Sequence, residues 1–279
     1  MKMIILQKIV FNCFLIFICY DRTFIFIELG KLSQIIMNPP SNQLKAIVTG
    51  ASSGIGKATA FAFAESGIEV ALVSRSEAKL QALAQKIEQK TTVKAKAYPI
   101  DLAVVDRVTS QIAEICSSFG SIDILVNNAG MGYTNTLEQT SLTDWQEVIE
   151  LNLTSVFQCV KGVLPQMRER GSGTIINVAS IAASNAFPEW GAYSVSKAGL
   201  VALGRALSVE ERSNGIRTVT ISPGSVNTPI WDTDTVRADF DRSAMLTPEI
   251  VAQSILHAAL LPPQAVVESM TVMPSGGAL

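Results

Sequence analysis

From residue 44 onward the chain alternates short β-branched apolar runs with longer Ala-rich stretches of helical period. The runs "KAIVTG", "EVALVSR", "VKAKAYPID", "IDILVNNAG", "TIINVAS", "IRTVTISPG" and "SMTVMPSG" read as seven strands. In most of them the apolar residues are consecutive rather than alternating, as expected for parallel strands covered on both faces. The stretches between, such as "GKATAFAFAESG", "SEAKLQALAQKIEQK" and "VVDRVTSQIAEICSSFG", read as helices that end near Gly. This order predicts a single doubly wound parallel α/β sheet with helices on both faces. Neither a Pro- or Ser-rich linker nor an internal repeat interrupts it, so residues 41–279 read as one domain.

Residues 1–36 do not match that pattern, being rich in Ile and Phe where the rest is rich in Ala, Gly, Ser and Val. Their longest uncharged run, Ile9 to Tyr20, has 12 residues, short of the roughly 18–20 that a spanning helix needs. Lys2 and Lys8 precede it as in a secretory leader, but no A-x-A cleavage site follows. The pattern favours Met37 as the initiator, ahead of membrane association or a structured extension.

Composition narrows the partners. The 279 residues are 48% hydrophobic, enough for a substantial core, and a net charge of -2 without long basic runs argues against nucleic acid. Cys13, Cys19, Cys116 and Cys159 show neither CxxC nor Cys/His metal spacing and read as reduced thiols in a cytoplasmic protein. His257, the only histidine, sits in "VAQSILHAALL" and reads as a core or helix-end residue. No metal site is expected around a lone imidazole.

In an open parallel sheet a ligand lies beyond the carboxyl ends of the strands, where strand order reverses. Here those ends carry small and polar residues. "TGASSGIG", residues 49–56, follows the first strand and opens the first helix. Gly50 suits the tight turn, Gly54 a close approach of the backbone to a pyrophosphate, and Gly56 close helix packing, which together read as a Rossmann-like dinucleotide loop. The second strand ends at Ser74 and Arg75, where an NAD site would carry a carboxylate for the ribose hydroxyls. A guanidinium there suits a 2′-phosphate, so NADP(H) is expected over NAD(H). Tyr193 stands four residues before Lys197 in "GAYSVSKAGL", so the two share a helix face. Taken alone, that spacing fits an ordinary surface pair as well.

In this order and spacing, "TGASSGIG", "NNAG", "YSVSK" and "SPGSVNT" resemble the short-chain dehydrogenase/reductase family over nearly the whole chain after residue 43. The resemblance implies a catalytic set of Ser180, Tyr193, Lys197 and Asn152. Val195 stands where many members have alanine, without consequence for the chemistry. Tyr193 is then the general acid/base, its pKa lowered from about 10 by the Lys197 ammonium and by the oxidised nicotinamide. Lys197 also holds the nicotinamide ribose, Ser180 donates to the substrate oxygen, and Asn152 anchors a water that passes protons on from Lys197. Cofactor contacts are implied at Gly50, Ser52, Ser53, Gly54, Ile55 and Gly56. Asp101 is implied beside the adenine, and Asn128, Ala129 and Gly130 along the cleft. Pro223, Gly224 and Val226 follow, with Thr228 at the carboxamide.

The reaction implied is the interconversion of a carbonyl and a secondary alcohol. The segment 230–246, with Trp231, Phe240 and Met245, reads as a mobile lid over the substrate. Met131, Phe187 and Trp190 fit either an apolar pocket or the core. Alternatives are a 3-oxoacyl-carrier-protein reductase, weakened by "MPSGGAL" where many such enzymes carry "DGG", and a non-catalytic NADP-sensing protein. By the same resemblance, the helices of Asn152 and Tyr193 pair between subunits in a homodimer or homotetramer.

Overall fold

The computed structural model describes residues 43–238 and 241–277 and, in the N-terminal region, the strands β1 (Leu15–Tyr20) and β2 (Thr23–Glu28). By their contacts the residues divide into two units, Met1–Gln43 and Leu44–Leu279. Within the first unit β1 and β2 pair antiparallel, Leu15 opposite Glu28 and Tyr20 opposite Thr23. The readings of Met37, of a leader built on Lys2 and Lys8, of Cys13 and of Phe240 fall outside the described residues.

The second unit holds seven strands: β3 (Lys45–Thr49), β4 (Glu69–Ser74), β5 (Ala95–Pro99), β6 (Ile124–Asn127), β7 (Gly173–Val178), β8 (Ile216–Pro223) and β9 (Ser269–Val272). Their spatial order is β5-β4-β3-β6-β7-β8-β9, all parallel, as the consecutive apolar runs predict. The reversal of order falls between β3 and β6, where Ala46, Ile47 and Val48 pair with Ile124, Leu125 and Val126.

The central strands feed two cores because successive side chains point to opposite faces. Ala46, Val48, Val70 and Leu72 join one core with α1 (Gly54–Glu65), α2 (Glu77–Lys90) and α7 (Pro248–Ala259), through Phe63, Leu80 and Ile255. Ile47, Ala71, Val73 and Leu125 join the other, against α3 (Val105–Phe119), α5 (Ser155–Arg170) and α6 (Gly191–Glu211). A short α4 (Leu142–Ile149), capped by Ser141 Oγ accepting from Asp144 N, leads into α5.

Gly171 ends α5 in the left-handed conformation, and a Cβ on Gly215, also left-handed, would collide with the Gly171 carbonyl. The carboxylate of Glu211 is buried where α6 ends, and the Arg168 guanidinium and Asn214 amide both donate to it. Arg168 holds that carboxyl below the usual range, although burial opposes it. His257 is exposed in the last turn of α7. Cys159 is buried and Cys116 part-buried, and burial pushes their thiols up to about 12 and about 11. Among the described residues no helix is long and apolar enough to cross a membrane.

Helices α3 and α5 pack closely because Gly162 presents no side chain. A Cβ there would lie 2.7 Å from Ile112 Cβ. Gly162→Val should therefore force the pair apart and lower stability by about 1–3 kcal/mol, read as a fall in the urea midpoint at unchanged slope.

Candidate active site

A cleft of about 890 Å³ opens at the carboxyl ends of the strands, across the reversal between β3 and β6. One threonine hydroxyl ties its floor together. Thr49 Oγ1, on β3, accepts from Asn128 N at 2.9 Å and Ala129 N at 3.0 Å and donates to Val126 O at 3.2 Å. Asn128 Nδ2 donates back to Thr49 O at 2.9 Å. The glycine loop rests on this joint. Gly50 has φ 65°, and a Cβ on it would lie 2.8 Å from Asn128 Nδ2; a Cβ on Gly56 would collide with the Gly50 carbonyl. Gly54, at φ 52°, faces Thr228, whose Cγ2 would be 3.1 Å from an added Cβ.

The N-terminus of α1 is open toward this cleft. Ser53 stands at its cap position without a capping side-chain bond, and no acidic residue occupies its first turn. Free N–H groups and the helix dipole therefore favour an anion there. A second cationic end lies beyond β4. Arg75 and Lys79 are exposed and line the cleft, neither with a partner among the described residues. Ser74, next to Arg75 at the end of β4, is buried, and its Oγ has no hydrogen-bond partner. Asp101 lines the same end, its Oδ1 accepting from Ala103 N at 3.0 Å.

The cleft brings together Gly50, Ser52, Ser53, Gly54, Ile55, Arg75, Asp101 and the run Asn128–Gly130, with Pro223, Gly224, Val226 and Thr228 on the far side. Ser180, Tyr193 and Lys197 line its inner wall. Of the residues singled out from the sequence, Gly56 and Asn152 stand behind the wall rather than in it. Gly56 is the packing glycine. Asn152 is wholly buried in a π-turn, Glu150–Thr154, inserted between α4 and α5.

That π-turn redefines the asparagine. Asn152 Oδ1 accepts from Met131 N at 2.8 Å, and its Nδ2 donates to Met131 O at 2.9 Å and to Ser196 Oγ at 3.0 Å. Ser196 donates in turn to Tyr193 O at 2.7 Å. Both Nδ2 hydrogens are used and Oδ1 accepts one bond, so the amide acts as a clamp in addition to the expected water contact. It fixes the loop after β6 to the first turn of α6.

Tyr193 and Lys197 do share a face of α6, with Lys197 Nζ 5.8 Å from the Tyr193 ring centroid. Lys197 is buried and its Nζ donates to Val178 O at 2.9 Å. Burial brings its pKa down to about 8. Burial pushes the Tyr193 phenol above its usual value, and the Ser180 hydroxyl beside it pulls the other way. Desolvation of the phenolate thus outweighs the Ser180 hydrogen bond, while the expected lowering belongs to a site that also holds the oxidised nicotinamide. Ser180 Oγ accepts from Ala182 N at 3.1 Å, which leaves its own O–H to donate.

The short chain dehydrogenase family model matches residues 44–238. The chain belongs to the short-chain dehydrogenase/reductase family. An uncharacterised oxidoreductase of Staphylococcus haemolyticus is 34% identical over 229 residues, which span 82% of this chain and 96% of the relative. A 3-oxoacyl-[acyl-carrier-protein] reductase of Staphylococcus epidermidis is 39% identical over 65% of this chain and 74% of the relative. Among solved structures, the L-sorbose reductase of Gluconobacter frateurii, complexed with NADPH and L-sorbose, aligns with a TM-score of 0.77 at 30% identity, covering 87% of this chain and 99% of that one. An alcohol dehydrogenase of Thermococcus sibiricus, complexed with 5-hydroxy-NADP, gives 0.77 at 28% identity over 84% and 97%.

Several cleft residues of this short-chain dehydrogenase were not singled out from its sequence. Lys79 looks like a solvated helix position, and only its place in the first turn after β4 marks it. The lid is pinned to the loop after β6: Thr134 N donates to Thr235 O at 2.9 Å, Thr235 Oγ1 to Gly132 O at 2.8 Å and Arg237 N to Thr134 Oγ1 at 2.7 Å. Of the lid residues, Trp231 lines the cleft while Met245 is buried away from it. Asn152→Ala should leave both polar groups of Met131 unpaired and cost about 1–3 kcal/mol for each buried group. A lower denaturation midpoint together with a loss of turnover is the expected result; Asn152→Ala with wild-type stability would show the clamp to be dispensable.

Proposed function

We propose that the protein is an NADP(H)-dependent oxidoreductase that interconverts a carbonyl compound and a secondary alcohol, with Tyr193 as the general acid/base. The observation that carries this reading is the convergence of Ser180, Tyr193 and Lys197 on one wall of a cleft whose opposite end holds the glycine loop and the Arg75–Lys79 cations. The NADP- and NADPH-bound relatives support the choice of cofactor.

The residues present fit such a dinucleotide. Gly50 and Gly54 line the cleft without side chains while Gly56 packs the loop from behind, and the uncapped α1 with Ser52, Ser53 and Ile55 would hold the pyrophosphate. Arg75 and Lys79 would hold the 2′-phosphate, and the orphaned Ser74 Oγ gives it a buried donor. Asp101, Asn128, Ala129 and Gly130 would line the adenosine side and the middle of the cleft. Pro223, Gly224, Val226 and Thr228 would flank the nicotinamide. When bound, the cofactor gives or takes the hydride.

The protein's own groups handle the proton. A buried phenol stays protonated through neutral pH, so Tyr193 is set to donate its proton to a carbonyl oxygen as negative charge develops there. Ser180 donates a hydrogen bond to the same oxygen. Lys197, with two N–H groups left after its bond to Val178 O, stabilises the phenolate that forms and would hold the ribose beside it. Asn152 holds Met131 and, through Ser196, the backbone at Tyr193. We further propose a cytoplasmic homodimer or homotetramer, supported by the free thiols of Cys116 and Cys159 and by the exposed Phe157 and Val195 on α5 and α6.

Tyr193→Phe should lower carbonyl reduction by about 10²–10⁴-fold while NADPH still binds, as followed by nucleotide fluorescence; a variant with intact turnover would refute the role. The pH profile gives a second check. Lys197 is cationic below about 8 and loses its charge above it, so kcat for reduction should fall on the alkaline side with an apparent pKa near that value. For the cofactor, Arg75→Asp should move the preference toward NADH by at least about tenfold. A wild-type kcat/KM with NADH equal to that with NADPH would remove the basis for NADP(H).

A further inference from the structure

The substrate end of the cleft has a chemistry of its own. Next to Tyr193 the wall is made of Met131, Phe187, Trp190, Ile230 and Trp231, all part-buried and all lining the cavity. The rings are organised. Trp190 meets Tyr193 edge to face at 5.2 Å and 73°, and meets Trp231 at 5.8 Å and 68°.

Trp190 is placed by its backbone and Trp231 by its indole N–H. Trp190 follows Glu189, the only non-glycine residue at positive φ (67°) among those described, and Asn135 N donates to the Glu189 carbonyl at 2.8 Å. The strained residue therefore sets the direction from which the chain enters α6 with Trp190 at its cap position. Trp231 lies in the short 3₁₀ turn Pro229–Asp232, and its Nε1 donates to Val226 O at 2.8 Å. With that N–H already engaged, Trp231 offers the cavity ring carbon rather than a donor.

The polar side chains of this end, Glu189, Thr233 and Arg237, are exposed at its rim. Apart from Ser180, Tyr193 and Lys197, which serve the reacting oxygen and the ribose, the wall at this end is apolar and aromatic. A polyhydroxylated substrate would set most of its hydroxyls against hydrocarbon there, which is unfavourable. A flat apolar group would replace water against edge-to-face rings and lose nothing.

We propose that the substrate is an aryl ketone or aryl aldehyde, its ring packed against the cavity side of the Trp190–Trp231 pair and its carbonyl oxygen at Tyr193 and Ser180. This rests on the carbonyl-reductase reading above and adds the class of compound.

The test is a comparison of kcat/KM with NADPH for acetophenone, 2-butanone, L-sorbose and an acetoacetyl thioester, on the full chain and on Trp231→Ala and Trp231→Phe. Acetophenone should exceed L-sorbose by about 100-fold or more. Trp231→Ala should cut the acetophenone-to-butanone ratio by about tenfold or more, and Trp231→Phe should keep most of it. Acetophenone should also quench the tryptophan fluorescence of Tyr193→Phe, and quench it less when Trp231 is replaced as well. L-sorbose or the thioester turning over faster than acetophenone would overturn the substrate class and leave the reaction type standing. An unchanged ratio in Trp231→Ala would overturn the ring seat. No turnover of any of the four carbonyls would overturn the proposed function, and the substrate class with it.

Discussion

The hydroxyl of Thr49 is the joint on which the rest of the site is built. It sits where strand order reverses, and it accepts from two successive backbone N–H groups of the β6 loop while donating to the carbonyl of Val126. Because β3 and β6 are buried on both faces, polar groups can leave them only at their carboxyl ends. Thr49 gathers those ends into one rigid corner, where backbone groups that would otherwise be buried without partners are satisfied. The glycine loop then turns over Asn128 with no room for a side chain at Gly50 or Gly56.

The inner wall is governed by desolvation more than by attraction between neighbours. Tyr193 and Lys197 both sit where a charge loses water, so one is pushed toward the neutral phenol and the other toward the neutral amine. Their opposite shifts put the amine below the phenol, so Lys197 releases its proton more readily than Tyr193 does. Lys197 keeps a bond to the Val178 carbonyl, which holds its amine in place in either charge state.

Much of this was legible in the chain itself. Unbroken apolar runs such as "KAIVT" and "GTIINV" can be satisfied only by helices on both sides, so the parallel sheet followed directly. The glycine loop and the Tyr193–Lys197 pair were visible because each needs fixed residue types at fixed spacing. The π-turn at Glu150–Thr154 was not, since a shift in hydrogen-bond register within a helix leaves no mark in the apolar period. Nor was the burial cost on the Tyr193 phenol, which depends on how much protein surrounds the ring. Lys79 and the orphaned Ser74 became functional candidates, and Trp190 and Trp231 an edge-to-face pair, only when the cleft placed them together.

The seam between the lid and the β6 loop has a mechanical consequence. Three hydrogen bonds through Thr134 and Thr235 stitch them together, and Val236 packs over Gly132 so closely that a Cβ there would stand 2.6 Å from its Cγ2. The neighbouring Met131 is in turn gripped by Asn152, which also holds the base of α6. Any outward swing of the flap must unzip this seam or drag the buried amide with it, so ligand exchange and the alignment of the proton-handling groups share one hinge.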